Sequence, residues 1–334
     1  MNLVTGASGL LGHHVVLELL VRGEKIRALN RSAEDGLMVR KLARFYGIDH
    51  RIEWSNLQWF ECDIMDITRL NESMDGIERV FHCAAVVSYH KKDRSKMYNV
   101  NIEGTANVVN TAMNNGIKRL CHTSSISALG RQYHMQTVNE DDEWRDSKMH
   151  THYAITKHHS ESEVWRGIVE GLNAFIVNPS LIIGPGKEAR SSGAIFEHLK
   201  KQWNYFPAGG TGMVHVRDVA NCMVNLMEKG INARRYTITS ENIEYKRLWQ
   251  LASSKMNLKI PQKQLPPWLP KLALMFESFK ELLMGKRASV TKESIGNMQL
   301  RFLYDNSRIV EELNYKFLPA EVAIDDAIEF LRFE

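Results

Sequence analysis

Cysteine is scarce in this chain, charge is nearly balanced, and no long apolar run is present. The four cysteines among 334 residues, Cys62, Cys83, Cys121 and Cys222, show no C-x-x-C spacing. A disulfide framework and a thiolate metal site are therefore not expected, and these residues read as reduced, mostly buried thiols. A scattered net charge of +4 is too small to imply a nucleic-acid partner. No basic, apolar, cleavable leader precedes the first strand, so a cytoplasmic location is expected. Internal repeats and low-complexity tracts are absent as well. The apolar stretch 266–284, opened by Pro266, Pro267, Trp268, Leu269 and Pro270, is broken by Glu277, Lys280 and Glu281. It falls short of the about 20 apolar residues that a membrane span needs. A cap helix is expected there, with peripheral membrane contact or a lipid-lined pocket as the alternative.

What the chain does contain is a glycine loop near its start. Thr5, Gly6, Ala7, Ser8, Gly9, Leu10, Leu11 and Gly12 carry glycines at three-residue intervals, between a short apolar strand (Leu3, Val4) and an apolar helix (Val15, Val16, Leu19, Leu20). Glycine lets the backbone turn sharply and approach a pyrophosphate, and the helix that follows offers unpaired N–H groups and its positive end. The spacing alone is weak. The strand, loop and helix context makes it a dinucleotide site.

At 44% hydrophobic and 25% charged residues, the composition is that of an ordinary globular chain. Its length allows one large α/β unit and a smaller cap, since single cores stop growing near about 250–300 residues. Apolar runs at 25–29, 57–62, 79–84, 118–123 and 174–177 continue the alternation of strand and helix, which predicts a Rossmann-type, doubly wound parallel sheet. From Pro179 the rhythm breaks into glycine and proline punctuation, with one more strand at 236–239. We expect residues 1–178 to bind the cofactor, with 213–240 returning to that unit. Residues 179–212 and 241–334 should form a mostly helical substrate cap.

Tyr153 and Lys157 stand one helical turn apart, so the phenol and the ammonium share a face. A neighbouring cation, together with an oxidised nicotinamide, favours phenolate and makes Tyr153 a usable acid or base. Upstream, Thr123, Ser124 and Ser125 end the fifth strand at the carboxyl edge of the sheet, where ligands of open α/β folds bind. Ser125 can hold a substrate oxygen for Tyr153.

These motifs, with Asp63-Ile64, Ala84-Ala85, Asn101, and the segments 178–186, 214–220 and 305–307, occur in an order that resembles the extended short-chain dehydrogenases/reductases over nearly the whole length. Within that group the chain is most similar to the branch of dihydroflavonol 4-reductases and 3β-hydroxysteroid dehydrogenases. The resemblance implies catalysis by Ser125, Tyr153 and Lys157, with Ser124 as the second choice for the serine because Ser125 stands five before Gly130, as in the family pattern. It also implies a cofactor site drawing on Thr5, Gly6, Ser8, Gly9, Leu10, Leu11, Gly12, Asn30, Arg31, Ser32, Asp63, Ile64, Cys83, Ala84, Ala85, Asn101, Thr123, Ser124, Asn178, Pro179 and Leu181. Asp63 and Ile64 would meet the adenine, Asn101 would anchor the central helix, and Pro179 would lie near the nicotinamide. A homodimer is a further implication.

Asn30, Arg31 and Ser32 end the second strand without the carboxylate that an NAD enzyme places there, and Arg31 suits a 2′-phosphate. NADP(H) is expected, with Arg40 and Lys41 nearby, and NAD(H) is the alternative. His150, His152, His158 and His159 have no carboxylate at ligand spacing, so no metal is expected. His13 and His14 read as helix-start residues. The leading expectation is interconversion of a carbonyl and a secondary alcohol on a hydrophobic or polycyclic small molecule, covered by Trp203, Tyr205, Phe206, Trp268, Leu272 and Phe276. A nucleotide-sugar epimerase or dehydratase is the main alternative. Against it, Gly210, Thr211, Gly212 and Met213 replace the usual arginine-bearing segment before Val214 and His215, and no acidic pair follows Ser124. A non-catalytic NADP-binding sensor is a third possibility, disfavoured by the presence of both Tyr153 and Lys157.

Overall fold

A computed structural model describes residues 1–31, 36–132, 137–186, 193–266, 268–269 and 291–333. The first half largely alternates between strand and helix. Its elements are β1 (Asn2–Thr5), α1 (Leu10–Val21), β2 (Ile26–Asn30), α2 (Gly36–Phe45), β3 (Leu57–Glu61), α3 (Ile67–Ser73) and β4 (Arg79–His82). After them come α4 (Arg94–Tyr98), α5 (Gly104–Asn114), β5 (Arg119–Thr123), the short β6 (Thr137–Val138), α6 (His152–Val169) and β7 (Ala174–Pro179). The second half holds β8 (Leu181–Ile183), α7 (Gly193–Lys200), β9 (Tyr205–Phe206), β10 (Gly210–His215), α8 (Val216–Lys229), β11 (Arg235–Ile238), β12 (Glu241–Glu244) and α9 (Tyr245–Lys255). It continues through β13 (Lys263–Gln264), the helix Lys292–Gln299, β14 (Leu303–Tyr304) and the helices Ser307–Leu313 and Ala320–Arg332.

Seven strands form one sheet in the order β11-β7-β5-β4-β1-β2-β3, every neighbouring pair parallel. Side chains alternate between two cores. Val4, Ala28, Phe81, Cys121 and Phe175 meet α1 and α8 on one face, while Leu3, Leu29, Val80, Leu120 and Ile176 meet α3, α5 and α6 on the other. Burial on both faces is why these strands read as continuous apolar runs. The chain builds β1, β2 and β3 outward, then crosses back to place β4 on the other side of β1. A crevice opens outside the carboxyl ends at that reversal, the place where this architecture receives ligands.

A second, three-stranded sheet, β12-β10-β8, continues beyond β7. Its core joins Met213 and Ile243 to Leu248 and Trp249 of α9 and to Ala323 and Ile324 of the last helix. Gly210 and Gly212, part of the glycine and proline punctuation after Pro179, both lie within β10. A Cβ on Gly210 would meet Ile243 O at 2.8 Å, and one on Gly212 would meet Thr239 Oγ1 at 2.6 Å. Close packing explains these glycines.

Candidate active site

The glycine loop seals β1 against the end of β4. Gly6 takes a positive φ of 63°, and a Cβ there would come within 2.6 Å of Ala84 N. At Gly12 a Cβ would fall 2.1 Å from Gly6 O, so helix and loop pack backbone against backbone. Gly9 is exposed and caps α1, which has no side chain bonding its first N–H groups and no acidic residue in its first turn. Those donors and the helix's positive end are left for an anion, which is the chemistry a pyrophosphate needs.

Thr5 stands behind the loop. Its Oγ1 accepts from Ala84 N–H (3.2 Å) and lies 2.7 Å from His82 Nδ1. His82 Nε2 lies 3.0 Å from Thr105 Oγ1, whose hydroxyl donates to Asn101 O. These bonds assign the proton to Nε2, and burial holds His82 neutral with its pKa lowered to about 3. Asn101 clamps the β4 exit loop to α6, its Oδ1 accepting from Val86 N–H (2.7 Å) and its Nδ2 donating to Val86 O and Thr156 Oγ1 (both 3.0 Å).

The residues expected to react stand near the end of β5. Thr151 caps α6 by accepting from Ala154 N–H (3.1 Å), which sets Tyr153 in the first turn and Lys157 one turn later. The Ser125 hydroxyl accepts from Ser127 N–H (3.1 Å) and borders the same cavity as Tyr153. Ser124 instead continues the sheet, its N–H donating to Val177 O (2.8 Å). Asn178 fixes this corner by donating from Nδ2 to Ser125 O (3.0 Å) and to Glu161 Oε1 (2.6 Å).

Lys157 is buried and donates from Nζ to Thr123 O (2.8 Å). Burial lowers its pKa from 10.5 to about 8, against the opposing pull of Glu161. The phenol of Tyr153 departs from expectation: burial, then Tyr89, pushes it above its ordinary 10, and only Ser125 lowers it. In the protein alone Lys157 spends its proton on the Thr123 carbonyl, and desolvation dominates at Tyr153.

One cavity of about 780 Å³ joins these parts. Among the expected residues Gly6, Ser8, Gly9, Leu10, Leu11, Gly12, Asn30, Arg31, Asp63, Ile64, Cys83, Ala84, Ala85, Thr123, Ser124, Ser125, Tyr153, Lys157, Pro179 and Leu181 line it. Thr5, Asn101 and Asn178 lie behind its wall, bonding the elements that shape it. Ser32 lies outside the described residues. His13 also lines the cavity, whereas His14 turns away to Leu10 O and the Tyr46 hydroxyl.

Arg31 is exposed and borders a second cavity of about 410 Å³, shared with Glu61, Cys62, Asp63, Asp66 and Arg69. Arg40 and Lys41 do not join it. Their positions on α2 carry them over the rings of Trp54 (4.1 Å) and Phe330 (5.2 Å). The bulky residues expected over the site are also elsewhere. Phe206 is buried in the core of the smaller sheet, while Trp203 and Trp268 are 51% and 58% exposed. Tyr205 does not line the cavity, and Leu272 and Phe276 lie outside the described residues. The far end is walled instead by Tyr89, Ile126, Arg131, Tyr245, Leu300, Phe302 and Tyr304. Among the described residues no group of His, Cys, Asp and Glu stands ready to hold a metal. Trp144 lies between His150 and His158, with ring centroids at 3.8 and 4.3 Å.

The model of the NAD dependent epimerase/dehydratase family matches residues 2–239. The chain belongs to this family. Sterol demethylase protein B of Methylococcus capsulatus is 31% identical over 342 aligned positions, covering 99% of this chain and 98% of that protein. A putative dihydroflavonol 4-reductase of Synechocystis is 28% identical, covering 98% and 94%. The crystal structure of gox2253 superposes with a TM-score of 0.81 at 27% identity, covering 99% and 98%. As an extended short-chain dehydrogenase/reductase, this family member is an NAD(P)-dependent enzyme acting on CH–OH or C=O groups. No helix among its described residues is long and apolar enough to cross a membrane.

Proposed function

We propose that this enzyme uses NADP(H) to interconvert a ketone and a secondary alcohol on a largely apolar, polycyclic small molecule. The observation that carries the reading is the meeting of Ser125, Tyr153 and Lys157 where one cavity passes from a glycine-lined to an aromatic-lined end. We assign residues 1–178 and 213–240 to cofactor binding and residues 179–212 and 241–334 to substrate binding. The return of β11 to the main sheet supports that division.

When bound, the dinucleotide supplies or accepts the hydride. In reduction, Ser125 donates a hydrogen bond to the carbonyl oxygen and Tyr153 donates its proton as negative charge grows there. The raised pKa of the phenol keeps it protonated at neutral pH. Lys157, one helical turn from Tyr153, brings a positive charge to the same face of α6. In oxidation the same groups act in reverse, with Tyr153 accepting the proton of the alcohol. Asn30 and Arg31 at the end of β2 support NADP(H), because a guanidinium pairs with a 2′-phosphate and no carboxylate occupies the strand end. The aromatic far wall supports a flat, apolar substrate, as does the relative named as a sterol demethylase protein.

The test is a screen of steroid, flavonoid, aldehyde and sugar-nucleotide compounds with NADPH and with NADH. Oxidation of NADPH by a polycyclic ketone is expected. Turnover of a sugar nucleotide without net cofactor consumption would overturn the proposal.

A further inference from the structure

Arg131 is a charged residue in an apolar room. It follows the Ser125 turn, is only 6% exposed, and borders the same cavity as Tyr153. Its guanidinium lies 5.7 Å over the Phe302 ring, its Nε has no hydrogen-bond partner, and no described carboxylate pairs with it. The groups that feel its charge are Tyr245 and His150, neither an anion. Burial and Arg131 hold His150 below its ordinary range, so it adds no second cation. Tyr89, Ile126, Tyr245, Leu300 and Tyr304 line the same cavity. Buried charges are normally paired, and a guanidinium presents parallel N–H groups that match a carboxylate.

We propose that Arg131 recognises a carboxylate on the substrate, so that the preferred compound is an apolar ring system carrying one acid group besides the reacting carbonyl or alcohol. The charge count favours a carboxylate over a phosphate or diphosphate. Lys157 is engaged with Thr123, Arg31 lies at the other end of the cavity, and Arg131 brings a single positive charge to the far wall. This inference rests on the reductase reading and names the substrate class for it.

The experiment takes ring ketones bearing a carboxylate at graded distances from the carbonyl, each with its methyl ester. Equilibrium binding to the enzyme saturated with NADP⁺ is measured alongside NADPH oxidation. At least one acid is expected to bind about 10- to 100-fold more tightly than its ester, as a charge-assisted pair in a water-poor site implies. Arg131→Met should bring that ratio to within about twofold through the KM of the acid, and Arg131→Lys should retain part of it. Thermal melting and NADPH binding report whether each variant is folded. Esters that match their acids throughout in the wild-type enzyme would overturn the proposal, as would an acid preference that survives in Arg131→Met. Arg131-dependent binding of acids without hydride transfer to any compound would retain the anion site and overturn the reductase reading. Ketone reduction blind to the acid group would do the opposite.

Discussion

The two ends of the cavity recognise by different means. At the cofactor end the walls are backbone: glycines that admit close approach, open N–H groups at the start of α1, and a shape fixed by Thr5, His82 and Asn101 from behind. At the far end the walls are side chains, aromatic rings around a single guanidinium. Backbone recognition survives most side-chain changes and serves one constant ligand. Side-chain recognition changes with each substitution, so one frame serves many substrates. Ser125, Tyr153 and Lys157, the proposed catalytic residues, line the same cavity between them.

The largest effect should come from these residues. Tyr153→Phe removes the proton donor and should lower kcat by about 10³-fold, with NADPH affinity, read by fluorescence titration, essentially retained. A fall in affinity equal to the fall in kcat would mean that the phenol holds the cofactor instead.

Next comes the backbone end. Gly6→Ala forces a Cβ onto Ala84 N at positive φ and should cost about 1–3 kcal/mol of stability, seen as a lower melting temperature together with weaker NADPH binding. Arg31→Ala should weaken NADPH by about tenfold and leave NADH nearly unchanged. Equal loss for both cofactors would assign Arg31 to the adenine and remove the basis for NADP(H).

Lys157 yields the most distinctive signal. Because its pKa is lowered to about 8, its charge is lost as pH rises through that value, and the rate of reduction should fall there. The linked stability effect has the opposite sign. Between pH 8 and 10.5 the unfolded chain holds a proton that the native state has released, so stability rises with pH across that window. Lys157→Met should therefore melt at a higher temperature near neutral pH while losing activity, because a buried charge costs about 2–3 kcal/mol. A lower melting temperature would show that the bond to Thr123 outweighs the burial.

The cofactor end was legible because its parts are contiguous. Residues 5–12 bring strand, turn and helix in one stretch, and Tyr153 and Lys157 share one helical turn. The far wall comes from scattered positions: Tyr89 after β4, Arg131 after β5, Tyr245 at the start of α9, and Phe302 beside β14. No local pattern marks such residues, and hydrophobic bulk alone misdirects. Phe206 was expected over the site for its size and lies in a neighbouring core. Arg131 could have been suspected only from its closeness to the Ser125 turn, since nothing local shows that an arginine will be buried. Arg40 and Lys41 show the converse, being near Arg31 in sequence yet drawn away by aromatic rings.

The most direct test of a joined cofactor and substrate cavity is transfer of deuteride from NADPH labelled at the reactive nicotinamide carbon to a polycyclic ketone, followed by mass spectrometry of the product. One deuterium is expected on the new carbinol carbon per NADPH oxidised, with the rate of transfer lowered about 10³-fold in Tyr153→Phe. Product formed without net NADPH oxidation, or label transfer unaffected by Tyr153→Phe, would contradict it.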